Sequence, residues 1–111
     1  MRYYHGGYGG LRIGDLVLPP SQTGRKGSKE FGNYMADVNK VYITTEYQAA
    51  ALYASGMDGG RIYDVVPGSG MEDDTDCKTE GLSFSCDFAR VIRVRRIPPK
   101  LRRKCRELLR K

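Results

Sequence analysis

Three patterns predict a mixed α+β fold in a single domain for this chain of 111 residues. Residues 40–45, 61–67 and 90–95 concentrate the β-branched and aromatic side chains that favour strands. An alanine-rich segment, residues 46–56, follows the first of these without a break and favours helix. Residues 97–111 place Leu101, Cys105, Leu108 and Leu109 at the i, i+4, i+7, i+8 spacing of one buried helical stripe.

Taken in order, residues 11–18 read as a short extended piece, a turn at Gly14-Asp15 and a strand closing at Pro19-Pro20. Residues 21–33 are rich in Gly, Ser and Lys and predict a mobile surface loop. The strand Lys40-Val41-Tyr42-Ile43-Thr44-Thr45 runs into the helix, with Thr45 as N-cap and Gln48 three residues on completing a capping box. Gly56 supplies the stop. Asp58-Gly59-Gly60 then turns the chain into the strand at 61–67. An acidic loop and a Ser/Thr/Gly stretch lead to the strand at 90–95. Pro98-Pro99 open the final helix, where a first turn tolerates proline.

Hydrophobic residues at 40% and charged residues at 29% are ordinary for a globular protein and argue against disorder. No apolar run approaches bilayer length, and the opening Met1-Arg2-Tyr3-Tyr4-His5-Gly6 lacks the apolar stretch of a signal peptide. The expectation is a soluble, cytoplasmic protein without a membrane partner. The net charge of +6 conceals an asymmetry. From Arg90 onward eleven Lys or Arg face one acid, Glu107, whereas the chain through Ala89 has eight basic and twelve acidic residues. A basic segment over residues 90–111 suits nucleic acid or another polyanion, and equally suits the solvated face of a last helix. Cys77, Cys86 and Cys105 match no close-set zinc pattern; Cys77 and Cys86 flank a loop and could pair if oxidised, though free thiols fit a cytoplasmic chain better.

Candidate chemistry sits in a few places. The run Glu72-Asp73-Asp74-Thr75-Asp76 lacks the glycine turn and terminal glutamate of a calcium loop. His5, the single histidine, stands beside Gly6-Gly7, where backbone can approach a ligand closely. The cluster Gly6-Gly7-Tyr8-Gly9-Gly10 is no dinucleotide fingerprint, since no strand precedes it. Gly24-Arg25-Lys26-Gly27-Ser28-Lys29 is too short for a phosphate-binding loop. Tyr42 lies in a strand, where a tyrosine is more often packed than a ligand platform. No local signature supports a Cys–His pair, and one histidine with scattered cysteines argues against a catalytic zinc. Each residue alone favours a structural role; their joint order does not.

That order resembles the rifamycin-inactivating ADP-ribosyltransferases of bacteria, a branch of the ADP-ribosyltransferase superfamily. Tyr4-His5-Gly6 followed by Ile13-Gly14-Asp15-Leu16 is similar to the family's opening. Val41-Tyr42-Ile43-Thr44 with the Ala49-Ala50 helix is similar to its second element. Gly60-Arg61-Ile62-Tyr63-Asp64-Val65-Val66-Pro67 with Glu72-Asp73-Asp74 resembles its third and is the most specific match. Arg90-Val91-Ile92-Arg93-Val94 resembles its late strand. The loop from Thr75 to Phe88, the 21–33 loop and the basic tail depart from the family pattern.

The resemblance implies an α+β ADP-ribosyltransferase fold with two short antiparallel sheets around an NAD cleft, ending in a basic helix at residues 97–111. It implies a histidine–tyrosine–acid set at His5, Tyr42 and Asp74, with Asp73 and Asp76 as alternative registers for the acid. NAD would be the co-substrate, no metal would be needed, and the acceptor would be a rifamycin-type hydroxyl. Protein or nucleic acid are alternative acceptors that the basic tail favours. In such chemistry Asp74 would stabilise the positive charge that builds on the sugar as nicotinamide leaves. Tyr42 would stack on the nicotinamide ring. His5 would bond a ribose hydroxyl, while Gly6 backbone groups clamp the carboxamide. The rival reading is a non-catalytic nucleic-acid-binding module built on the tail.

Overall fold

Extended and helical segments alternate as their side chains dictate. A computed structural model describes residues 1–24, 38–57, 59–74 and 81–110. In chain order the elements are β1 (Tyr3–Gly7), β2 (Leu16–Val17), α1 (Pro20–Thr23), β3 (Val41–Thr44), α2 (Tyr47–Ser55), β4 (Arg61–Pro67), β5 (Glu72–Asp73), β6 (Ser83–Cys86), β7 (Ala89–Arg95) and α3 (Pro99–Leu109). The α+β class and the three strong strands stand where the residue pattern predicts them.

Four local details differ. The N-cap of α2 is Glu46, without a side-chain cap bond, so the Thr45–Gln48 capping box does not form. Thr45 is drawn elsewhere: its hydroxyl donates to the Gly81 carbonyl at 3.1 Å. Residues 21–23, expected in a loop, belong to α1, which Pro20 opens and Gly24 closes at φ +72°; residues 25–33 lie outside the described residues. A strand runs through the first glycines themselves, since β1 includes Gly6 and Gly7. The stretch after Pro67 contributes β5 and β6, two short strands of weak propensity.

The strands form one antiparallel sheet in the order β2-β7-β4-β1-β3-β6-β5, where the resemblance implies two sheets. The join between β1 and β3 is narrow. It has one register pair, Tyr4 opposite Thr44, whereas β1 pairs with β4 along its whole length from Tyr3 opposite Val65 to Gly7 opposite Arg61. Past Tyr4 and Thr44 the two strands part. The ladder is thus continuous at a single point, and that is enough to make one sheet.

Alternation along each strand sends neighbours to opposite faces. Val41 and Ile43 of β3 meet Tyr63 and Val65 of β4, Val91 of β7 and Cys86 of β6 in one buried core, so both halves of the sheet close over the same apolar cluster. A second core lies under the helices, where Ala50, Ala51 and Ala54 of α2 pack with Ile62, Ile97 and Cys105. The alanines are required by proximity. A Cβ on Gly6 would collide with the Ala50 carbonyl oxygen, and one on Gly60 with that of Ala54. Helix and strand backbones therefore touch directly, and larger side chains on either would push them apart.

The terminal helix forms where it is predicted, as Pro99–Leu109, but only part of its predicted stripe is buried. Cys105 is buried and Leu101 packs against the second core, while Leu108 is half exposed at 50%. Arg95 fixes the end of β7 through a fork to Asp64, with Nε and Nη2 donating at 2.7 and 3.0 Å. Its guanidinium also lies 5.9 Å over the Tyr47 ring. Among the described residues, no helix is long and apolar enough to cross a membrane.

Candidate functional site

The site is built at the place where β1 and β3 separate. Backbone bonding there stops after one pair, and a side chain takes over. His5 Nδ1–H donates to the Tyr42 carbonyl at 2.8 Å, bridging the two strands. Because a carbonyl only accepts, this bond settles the tautomer of the neutral ring. The proton sits on Nδ1 and the lone pair on Nε2.

Two neighbours hold the ring. Tyr63, directly opposite His5 in the β1–β4 ladder, lies beneath it at 6.3 Å between centroids with the planes 24° apart. Tyr63 is itself fully buried, and its hydroxyl donates to the Tyr8 carbonyl at 2.6 Å while accepting from Leu11 N–H at 3.4 Å. The second neighbour matters by having no side chain. A Cβ on Gly7 would stand 2.6 Å from His5 Nε2. Gly7 therefore leaves room over the one ring nitrogen that makes no hydrogen bond among the described residues and yet is not enclosed.

These surroundings tune the ring. Burial holds the His5 imidazole below its ordinary 6.5, and the bond to Tyr42 only partly offsets this. The group is then neutral at physiological pH, with Nε2 ready to accept a proton or a hydrogen bond.

Tyr42 lies in β3 opposite Ser85 of β6, and Ser85 in turn faces Glu72 of β5. Its strand neighbours Val41 and Ile43 point into the core, so the half-buried Tyr42 ring takes the other face. Asp74 follows β5 directly. Its N–H donates to the Ser83 carbonyl at 3.0 Å, and its Oδ2 accepts from the Ser83 hydroxyl at 3.0 Å. Ser83 pairs with Thr44, and Thr44 with Tyr4. One row of partners thus runs from Tyr4 through Thr44 and Ser83 to Asp74. Two strand spacings put Asp74 roughly 10 Å from β3.

No family model matches this chain, and no curated protein matches its sequence. The site is therefore read from its geometry. His5 and Tyr42 are in direct contact across the strand gap, though through the Tyr42 backbone rather than its ring. Asp74 is fixed on the same half of the sheet as Tyr42, with Asp73 one place earlier in β5. Asp76 and Cys77 lie outside the described residues. Cys86 is buried in the core, where burial pushes its thiol pKa up and away from reactivity. Gly6, expected to clamp a ligand, faces the Ala50 backbone of α2 with its Cα.

Tyr63 and Ser83 have no role in the residue reading, and Gly7 enters it only as backbone beside His5. Gly7, Tyr63 and Ser83 all act through His5 or Asp74. The doubled glycine after His5 is a signal for the first. Tyr63 and Ser83 have only ordinary strand residues around them, and their roles come from cross-strand register.

Proposed function

We propose that this protein is a mono-ADP-ribosyltransferase that cleaves the nicotinamide–ribose bond of NAD and transfers ADP-ribose to an acceptor hydroxyl, with a rifamycin-type hydroxyl as the first acceptor to try. The observation that supports this reading most is the His5–Tyr42 bridge over parted strands, with Nε2 presented above Gly7. A cradle that a Cβ would fill fits a ligand bound close to backbone.

On this reading the gap between β1 and β3 is the NAD cleft, and the parts of the sheet on either side correspond to the family's two small sheets. His5 Nε2 accepts a hydrogen bond from a ribose hydroxyl. Tyr42 contributes its carbonyl to the cleft through the His5 bridge, while its ring lies on the other face of the sheet. Asp74, oriented by Ser83, sits about 10 Å from β3, a span comparable to a pyridine ring joined to a ribose.

The bond from ribose C1′ to the nicotinamide nitrogen breaks with its electron pair going to nitrogen, so nicotinamide leaves neutral. The acceptor oxygen bonds to C1′ and releases its proton to solvent. Positive charge on the sugar peaks between these events, and the Asp74 carboxylate stabilises it there. The chemistry asks for neither a metal nor a strong general acid.

Incubation with NAD labelled in the nicotinamide ring tests the reading. Wild-type protein should release nicotinamide, and Asp74→Ala should lose most of that release, by about a hundredfold for a contact worth nearly 3 kcal/mol in the transition state. With rifampicin present, mass spectrometry should find it heavier by one ADP-ribosyl group. Undiminished release by Asp74→Ala would remove Asp74 from the site; no release by the wild type would refute the activity.

A further inference from the structure

We infer that α3 docks the phosphate backbone of a nucleic-acid duplex, through a surface separate from the His5–Tyr42 site. Two of its arginines are committed to holding the helix in place. Arg102 Nη2 donates to the Gly60 carbonyl at 3.1 Å and Arg106 Nε to the Ser55 carbonyl at 3.4 Å. Ser55 is the last residue of α2, so Arg106 also meets the negative end of that helix. The rest of the charge faces outward. Lys100, Arg103, Lys104 and Arg110 are exposed. Among the described residues, ion pairs form at Lys40–Asp87 and Arg95–Asp64, and no carboxylate pairs with a cation of α3.

One side of α3 forms a groove of about 310 Å³, lined by Pro99, Arg102, Arg103, Arg106, Glu107 and Arg110. Four guanidinium charges against the one carboxylate of Glu107 select an anion, and the planar forks of Arg103 and Arg110, which are not bonded to helix-anchoring carbonyls, suit phosphate oxygens. At 1.5 Å per residue the helix is roughly 16 Å long. Duplex DNA presents about one charge per 1.7 Å of axis, so several phosphates fall within reach.

Two features choose a duplex over other polyanions. The apolar stripe of α3 is largely spent on the second core, where Cys105 is buried and Leu101 is packed; the half-exposed Leu108 is too little apolar area to enter a lipid surface. The helix has no aromatic residue, so it offers nothing on which the bases of a single strand would stack. What remains is a row of fixed positive charges, which reads backbone and not sequence.

Fluorescence anisotropy with a labelled DNA duplex, an RNA duplex and a single-stranded DNA, titrated at several salt concentrations, tests this. A duplex should bind more tightly than the single strand, with log K falling against log salt at a slope of about −3, as for three to four neutralised phosphates. Arg103→Gln with Arg110→Gln should weaken duplex binding at least tenfold at low salt and flatten the slope by about 2. Lys100→Gln with Lys104→Gln, on another side of the helix, should do less. Equal melting temperatures would show that both variants fold. The inference is overturned by salt-independent binding, by an arginine double variant that binds duplex like the wild type, or by affinity only for phosphatidylserine vesicles. Nicotinamide release by the arginine double variant should match the wild type, so the two sites fail or stand separately.

Discussion

The His5 ring and the Tyr42 carbonyl, 2.8 Å apart, join two strands whose backbones have already separated. A side chain thus completes a ladder that the main chain leaves open, and in doing so it gives up one ring nitrogen and presents the other.

That arrangement has a pH signature. The His5 pKa is lowered by burial from 6.5, so the unfolded chain takes up a proton first as pH falls. The stability contributed by the neutral ring is complete above pH 6.5 and is lost as pH falls toward and through the folded pKa. Protonation also turns Nε2 from acceptor into donor. Nicotinamide release should therefore decline on the acid side with an apparent pKa below 6.5. Melting curves of wild type and His5→Gln, subtracted at each pH, should converge as pH drops. A difference that stays constant from pH 8 to pH 5 would contradict the lowering of the His5 pKa by burial.

Adjacent glycines should respond in opposite ways. Gly7→Ala places its methyl 2.6 Å from His5 Nε2, so it should displace the ring and cut NAD cleavage by roughly tenfold or more. Its effect on stability should be small, because the far end of a side chain can yield. Gly6→Ala instead meets the backbone carbonyl of Ala50, which cannot. It should cost about 1–3 kcal/mol of stability or more. Thermal melts beside single-turnover kinetics separate the two.

Much of this was legible in the residue pattern and some was not. β3, β4, β7, α2 and α3 follow from local composition, since β-branched runs and a regular apolar stripe leave few alternatives. β5 and β6 were missed because Glu72-Asp73 and Ser83-Phe84-Ser85-Cys86 have little strand preference; pairing against β3 makes them strands. Thr45 was misread as a cap because its real partner, the Gly81 carbonyl, lies 36 residues away. His5 stood out as a solitary histidine beside two glycines. Tyr63, which supports it from 58 residues along the chain, could be found only once Tyr63 was known to face His5.

Tyr63 has two separable duties. Tyr63→Phe keeps the ring under His5 but leaves the Tyr8 carbonyl without its 2.6 Å donor. It should cost about 1–2 kcal/mol of stability while NAD cleavage stays near the wild-type rate. Tyr63→Leu removes the ring as well and should lower cleavage too. Should Tyr63→Leu cleave NAD at the rate of Tyr63→Phe, the ring would not position His5.

Arg95 and Asp64 lock β7 to β4 beside Tyr47. Asp64 is buried, with 10% of its side chain exposed against 25% for Arg95. Arg95→Ala strands that carboxylate and should cost about 2–4 kcal/mol, somewhat less than for a fully enclosed pair. Arg95→Met with Asp64→Leu, which removes both charges, should recover most of the loss. Chemical denaturation measures both, and an equally unstable double variant would show that the pair does more than cancel its own charges.

The single pair of Tyr4 with Thr44 makes the sheet a fabric with one stitch at its middle. Amide protons along β1 and β4 are held by a full ladder, whereas β3 beside the gap is held by β6 and, at the Tyr42 carbonyl, by one imidazole. Local opening should therefore begin at that seam, and amide exchange should be faster at Tyr42 than at Tyr63. Any molecule lodged there would act as thread. It would tie two cooperative units into one, raise the melting temperature by mass action, and slow exchange on both sides together.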